Sequence, residues 1–131
     1  DLRKFKENGG KLLIYQSWNE TWVPPRTITT YYNNVVKAMG GESRTKDFAR
    51  LFMIPDFGMC PSMYPGTFDA LGAVQRWREQ GIAPDQITVS YSSEGKAYKT
   101  RPVCAYPNVA IYKGSGDIND AANFTCGNPD W

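Results

Sequence analysis

Histidine is absent from this chain. Any proton relay drawn from its own residues must therefore work without imidazole, the side chain whose ordinary titration falls closest to neutral pH. Long apolar runs are absent too: no stretch approaches the roughly 18 residues of a membrane-crossing helix, so no membrane partner is expected. Charge of one sign is not in excess. Fifteen Lys and Arg against thirteen Asp and Glu leave a formal charge of +2, whereas nucleic-acid and membrane-surface partners call for clustered basic residues. The densest basic stretch, Leu2 to Lys6, reads as the solvated face of a short helix. The first residues lack the apolar block of a signal peptide, and the chain reads as a mature or internal segment. Cysteine is scarce, and its count of three leaves one thiol without a partner inside the chain.

What is present is ordinary for a folded domain. Hydrophobic residues make up 41% and charged residues 21% of 131 positions, enough for one domain with a real core. A short helix is expected from Asp1, a capping residue, through Asn8, with Gly9 and Gly10 as its stop. Lys11 to Tyr15 reads as a buried strand, because its apolar run is continuous, as in parallel strands covered on both faces. Between Pro25 and Met39, apolar residues at Ile28, Tyr31, Tyr32, Val35, Val36 and Met39 keep helical spacing. Lys46 to Phe48 suggests a helical turn, and Arg50 to Ile54 a second strand that Pro55 ends. Strand, helix, strand implies a parallel crossover.

A second helix is predicted over 68–80, with Phe68, Leu71, Val74 and Trp77 as its core stripe and Gly81 as its stop. Gln86 to Tyr91 and Ala97 to Val103 read as paired strands around a Ser93-Glu94-Gly95 turn. Beyond Cys104 the chain looks rich in loops, with one short strand over Val109 to Tyr112. The Gly and Asp pattern around Asp117 lacks the acid spacing and closing Glu of a calcium loop, so no metal site is assigned.

Several linked motifs carry a resemblance. Gly9-Gly-Lys opens a strand that leads into a loop ending Val23-Pro24-Pro25; Met53-Ile-Pro precedes Gly58-Met59-Cys60; Phe68-Asp-Ala-Leu enters a helix. Arg101-Pro-Val-Cys104-Ala-Tyr-Pro107, Tyr112-Lys-Gly-Ser-Gly-Asp and Ala121-Ala-Asn-Phe-Thr-Cys126 complete the series. From Asp1 to Cys126 the chain resembles the C-terminal third of the tannase and feruloyl esterase family, secreted α/β-hydrolases that cleave esters of phenolic acids.

The resemblance implies an α/β fold: the C-terminal portion of an α/β-hydrolase sheet with crossover helices, completed by an N-terminal segment. Residues 1–131 would then belong to one catalytic domain. Residues 1–60 would carry the acid and His loops, and 61–131 the terminal helix, short strands and a disulfide-bonded loop region. The two loops follow the expected order for the acid and base of a Ser, acid, His triad, a chemistry that needs no cofactor. The residues depart from the family pattern at three places. Gln16-Ser17 replaces His-Gly, Glu20 stands at the acid position, and Met59 stands at the His position ahead of Cys60. A thioether is a weak acceptor that takes up no proton near neutral pH, so Met59 is not competent as the base.

The resemblance further implies a Cys104–Cys126 disulfide, and hence a secreted or periplasmic, oxidising compartment. It also implies a bond from Cys60 to an upstream segment or second subunit that carries the nucleophile elbow. The alternative for Cys60, on the residues alone, is a buried free thiol. Trp18 and Trp22 flank Glu20 in a loop. They either line a pocket for a flat aromatic or sugar group or pack against a lid or the Pro24-Pro25 segment. Asp56 reads as a turn residue after Pro55. Two sequons, at Asn19 and Asn123, are candidate glycosylation sites. Three readings follow: an esterase subunit, a pseudoenzyme or scaffold that binds an aromatic or glycan ligand, and an independent aromatic-rich binding domain.

Overall fold

The computed structural model describes residues 1–57 and 66–128. Its first half is a parallel crossover. Strand β1 (Leu12–Ser17) runs to helices α2 (Pro25–Ala38) and α3 (Glu42–Lys46) and returns as β2 (Ala49–Ile54), preceded by a short helix α1 (Arg3–Glu7). β1 and β2 pair in parallel from Leu12 opposite Ala49 to Ser17 opposite Ile54. Pro25 starts α2 at the position where a missing N–H costs nothing. Asp1 is not the expected cap: Leu2 holds the N-cap position of α1 with no side-chain cap, and the Asp1 carboxylate, one residue further out, accepts the Arg3 N–H at 3.0 Å.

All six residues of β2 are buried, and the period of two explains how. Ala49, Leu51 and Met53 pack with Tyr32 and Val35 of α2 and with Met39, its C-cap residue. Phe52 and Ile54 turn to the other face, onto α4 (Ala70–Gln80) and the strands β4 (Gln86–Ser93) and β5 (Lys96–Cys104). Arg50 sits on that face as a buried cation. Its guanidinium donates to Asp85 at 3.1 Å and to the carbonyls of Lys46 and Ala49, and it lies 5.2 Å from the Trp77 ring.

The second half is antiparallel. β3 (Gly66–Phe68), β4 and β5 form one sheet. The β4–β5 turn places Glu94 and Gly95 both at positive φ, 52° and 77°, the geometry of the tight hairpin turn whose twist matches its strands. β6 (Val109–Tyr112) and β7 (Phe124–Gly127) make a separate hairpin. It is bonded to the end of β5 by a Cys104–Cys126 disulfide with the Cα atoms 5.7 Å apart. A bridge between Phe52 and Ala105 and a 2.8 Å bond from Tyr106 N–H to the Leu51 carbonyl join the two halves.

Four more expectations are corrected. Phe68 lies in β3, and the second helix starts after Asp69, whose carboxylate caps it by accepting the Gly72 N–H at 2.9 Å. Its buried face is Ala73 and Trp77, while Leu71 is 80% exposed. The turn placed over Lys46 to Phe48 is the helix Glu42–Lys46, because Gly41 at φ 115° lets the chain turn into it earlier. β1 is only half buried, with Tyr15 50% exposed. Among the described residues it pairs with β2 alone, so its other edge is open. No helix among them is long and apolar enough to cross a membrane.

Candidate active site

Parallel neighbours end at the same edge of a sheet, so the loops leaving Ser17 and Ile54 emerge side by side. That edge is where α/β folds place ligands. Trp18 N–H donates to the Ile54 carbonyl at 3.0 Å, extending the ladder by one rung into the first loop. Ser17 Oγ then accepts the Asn19 N–H at 2.9 Å, and Gln16 Nε2 donates to the Val23 carbonyl at 2.7 Å, closing the loop on itself. Glu20 sits half-buried inside this closure, one carboxylate oxygen accepting the Trp22 N–H at 3.1 Å.

Asn19 links the two loops. Its side-chain oxygen accepts the Asp56 N–H at 2.9 Å. Asp56 occupies a left-handed conformation at φ 50°, a strained position that Asp tolerates better than most residues. Three further contacts hold this turn. Tyr91 donates its hydroxyl to the Pro55 carbonyl at 2.5 Å, Lys99 Nζ pairs with the Asp56 carboxylate at 3.3 Å, and the same ammonium lies 4.7 Å from the Tyr91 ring. Burial, with Asp56 adding to it and Arg101 opposing it, pushes the Tyr91 phenol up to about 12. The hydroxyl therefore stays a donor well beyond neutral pH. Phe57, next in sequence, packs against Tyr15 and Phe68. Met59 and Cys60 lie outside the described residues.

Beside these loops opens a cavity of about 820 Å³. Trp18, Pro55 and Asp56 form one wall, Lys99 and Arg101 of β5 another, and Tyr106 and Phe124 flank the hairpin side. Of the two tryptophans singled out in the sequence, Trp18 lines this cavity; Trp22 does not and is 92% exposed. Glu20 lies outside the lining as well. Asn123 is engaged within its own loop, its Nδ2 donating to the Asp117 carbonyl at 2.8 Å. Asp117 in turn accepts the Asn119 N–H at 2.8 Å, which explains the Gly and Asp pattern as loop architecture. No group of three or more His, Cys, Asp or Glu among the described residues could hold a metal ion. Lys99 went unremarked in the sequence, and Arg101 entered only as part of a motif, not as a site residue. Their spacing of two, which puts both on one face of a strand, was the available signal.

Comparisons with known proteins place these loops in a family. The family model for tannase and feruloyl esterase matches residues 1–127. The chain is 42% identical to a mono(2-hydroxyethyl) terephthalate hydrolase of Piscinibacter sakaiensis, over 98% of the chain and 22% of that protein. It is 34% identical to a probable feruloyl esterase of Arthroderma benhamiae, over 96% of the chain and 24% of that protein. Among solved structures it superposes on feruloyl esterase B from Aspergillus oryzae with a TM-score of 0.80 at 26% identity, covering 97% of the chain and 28% of that structure. The chain thus spans about a quarter of the length of the relatives it matches. Matched along nearly its whole length, the chain belongs to the tannase and feruloyl esterase family.

Proposed function

We propose that the chain is the acid-and-base portion of an α/β-hydrolase sheet in a carboxylic ester hydrolase of the phenolic-ester type, with its base position occupied by Met59. One observation carries this reading. β1 and β2 run in parallel register, and the Asn19–Asp56 hydrogen bond clasps the Glu20 loop to the loop that leads on to Met59. In a Ser, acid, His triad the acid fixes the tautomer of the His, and the His takes the Ser proton and returns it to the leaving alcohol. Glu20 is suited to the acid role, since several hydrolases accept Glu there. The chain has no His to receive its hydrogen bond. Loss of a triad member leaves only the oxyanion hole and binding, a drop of about a thousandfold or more.

The relatives' names, a terephthalate monoester hydrolase and a feruloyl esterase, support esters of aromatic acids as the substrate class. The rest of the machinery, including the nucleophile elbow, belongs in this reading to an upstream segment joined through Cys60. The open edge of β1 and the quarter-length coverage of the relatives support that. The Cys104–Cys126 disulfide supports an oxidising, secreted or periplasmic setting. In that setting Asn19, exposed at the mouth of the loops, is the better placed of the two sequons for a glycan.

The test is turnover of methyl ferulate and methyl gallate by the complete protein. Negligible hydrolysis is expected, and robust hydrolysis would overturn the reading. Peptide mapping under non-reducing conditions tests the partner: a Gly-x-Cys-Ser-x-Gly peptide on Cys60 is expected, and a free Cys60 thiol would refute the linkage. The missing imidazole also favours a second reading, a pseudoenzyme that holds an aromatic or glycan ligand against Trp18 without cleaving it.

A further inference from the structure

Arg101 is half-buried and makes no ion pair among the described residues, although six other pairs are formed there. Its guanidinium lies 4.2 Å from the Phe124 ring, and one nitrogen donates to the Ile118 carbonyl at 2.6 Å. Those two contacts fix the plane of the fork while leaving its remaining donors uncommitted. Among the described residues, the charges facing the same cavity are Lys99, Asp56 and Arg101. Lys99 and Asp56 neutralise one another at 3.3 Å, so the described lining keeps one positive charge, that of Arg101. Its walls supply three aromatic side chains, Trp18, Tyr106 and Phe124. A planar, oriented fork beside flat apolar walls matches a planar carboxylate carried on a ring.

We propose that the cavity between β2, β5 and the β6–β7 hairpin binds a small planar aromatic monocarboxylate, with Arg101 taking the carboxylate and Trp18 the ring. This site is separate from the Glu20 carboxylate, and occupancy requires no proton transfer. It therefore stands whether or not the protein hydrolyses esters. One net positive charge selects a monoanion; a neutral ester lacks the group that Arg101 recognises, and a dianion brings a second charge with no partner. The aromatic acid released by an esterase has this chemistry, so the site would retain product or sense it.

The experiment is equilibrium dialysis of the complete protein against ferulate and methyl ferulate, with quenching of Trp18 emission as the local readout. Ferulate is expected to bind at least about tenfold more tightly than methyl ferulate, the usual worth of a charge-assisted hydrogen bond. Arg101→Gln should remove that preference, and Arg101→Lys should keep part of it. Trp18→Leu should abolish the quenching. The acid-against-ester comparison needs no variant, so it decides the matter even if Arg101→Gln fails to fold. Equal binding of acid and ester, no binding of either at millimolar concentration, or an unchanged preference in Arg101→Gln would each overturn the proposal. Robust ester hydrolysis would refute the Met59 reading and leave this one intact.

Discussion

Replacing Tyr91 with Phe removes one oxygen from a ring that is only 2% exposed, leaving the Pro55 carbonyl without the donor it holds at 2.5 Å. Ring packing is retained, so the cost is that of the hydrogen bond and the stranded acceptor, about 1–2 kcal/mol near neutral pH. The pH dependence makes the test sharper. The phenol is raised from 10.0 to about 12 in the fold, chiefly by burial. A raised value means that the folded state holds the proton more tightly than the unfolded chain. The stability it contributes is thus complete below pH 10 and is lost progressively as the pH climbs toward 12. At pH 11 the loss in the native protein is about 1.4 kcal/mol, and the Tyr91→Phe variant has no phenol to ionise and so loses nothing by this route. Urea unfolding of both proteins at pH 8, 9, 10 and 11 should therefore show a stability gap that narrows to near zero. Lysine titration affects both alike and cancels in the difference. A gap that stayed constant across the series would refute the buried, donating phenol and the rigid turn built on it.

Three other outcomes follow. Cys104→Ser with Cys126→Ser should destabilise the fold by about 3 kcal/mol, as expected for a closed loop with a sequence separation of 22, and chemical unfolding without reductant measures it. Asn19→Ala should cost about 1 kcal/mol through the lost Asp56 N–H acceptor; amide exchange at Asp56 should quicken, and unchanged exchange would show that the clasp is not made. Arg50 and Asp85 should behave unequally, because their side chains are 7% and 83% exposed. Asp85→Asn is expected to cost under about 1 kcal/mol, whereas Arg50→Ala, which strips buried carbonyls and the Trp77 face of their partner, should cost about 2 kcal/mol or more in the same unfolding assay.

The crossover was legible because its signals were strong. Leu12 to Tyr15 and Leu51 to Ile54 are apolar runs, and α2 repeats its apolar residues over four turns with Pro25 and the Gly40-Gly41 pair as its limits. What escaped was short or carried by small residues. β3 has three residues, too few for a period to register, and β7, no longer than the legible β6, lies in a stretch that reads as loop. On α4 the buried contact is made by Ala73, which has little hydrophobic weight, while Leu71 with far more points outward; the helix start at Asp69 decides which residues face the core.

The site divides in the same way. Glu20 and Trp18 stood out as a carboxylate and an aromatic in a loop between apolar segments. Lys99 and Arg101 were legible only as members of a strand and, for Arg101, of a motif; they line a cavity because the β6–β7 hairpin is held against β5 by the disulfide and by bonds such as Arg101 to the Ile118 carbonyl. Asn19 read as a sequon, and its bond to Asp56 depends on two strands that are 37 residues apart in sequence at that point.

The most direct test of the central claim is the hydrolysis of methyl ferulate by the complete protein carrying Met59→His, alone and combined with Glu20→Gln. Restoring an imidazole beside an intact acid should raise turnover by about a thousandfold over the native protein, and the added Glu20→Gln change should take most of that gain away. A folded Met59→His protein no more active than the native one, or one indifferent to Glu20→Gln, would contradict it.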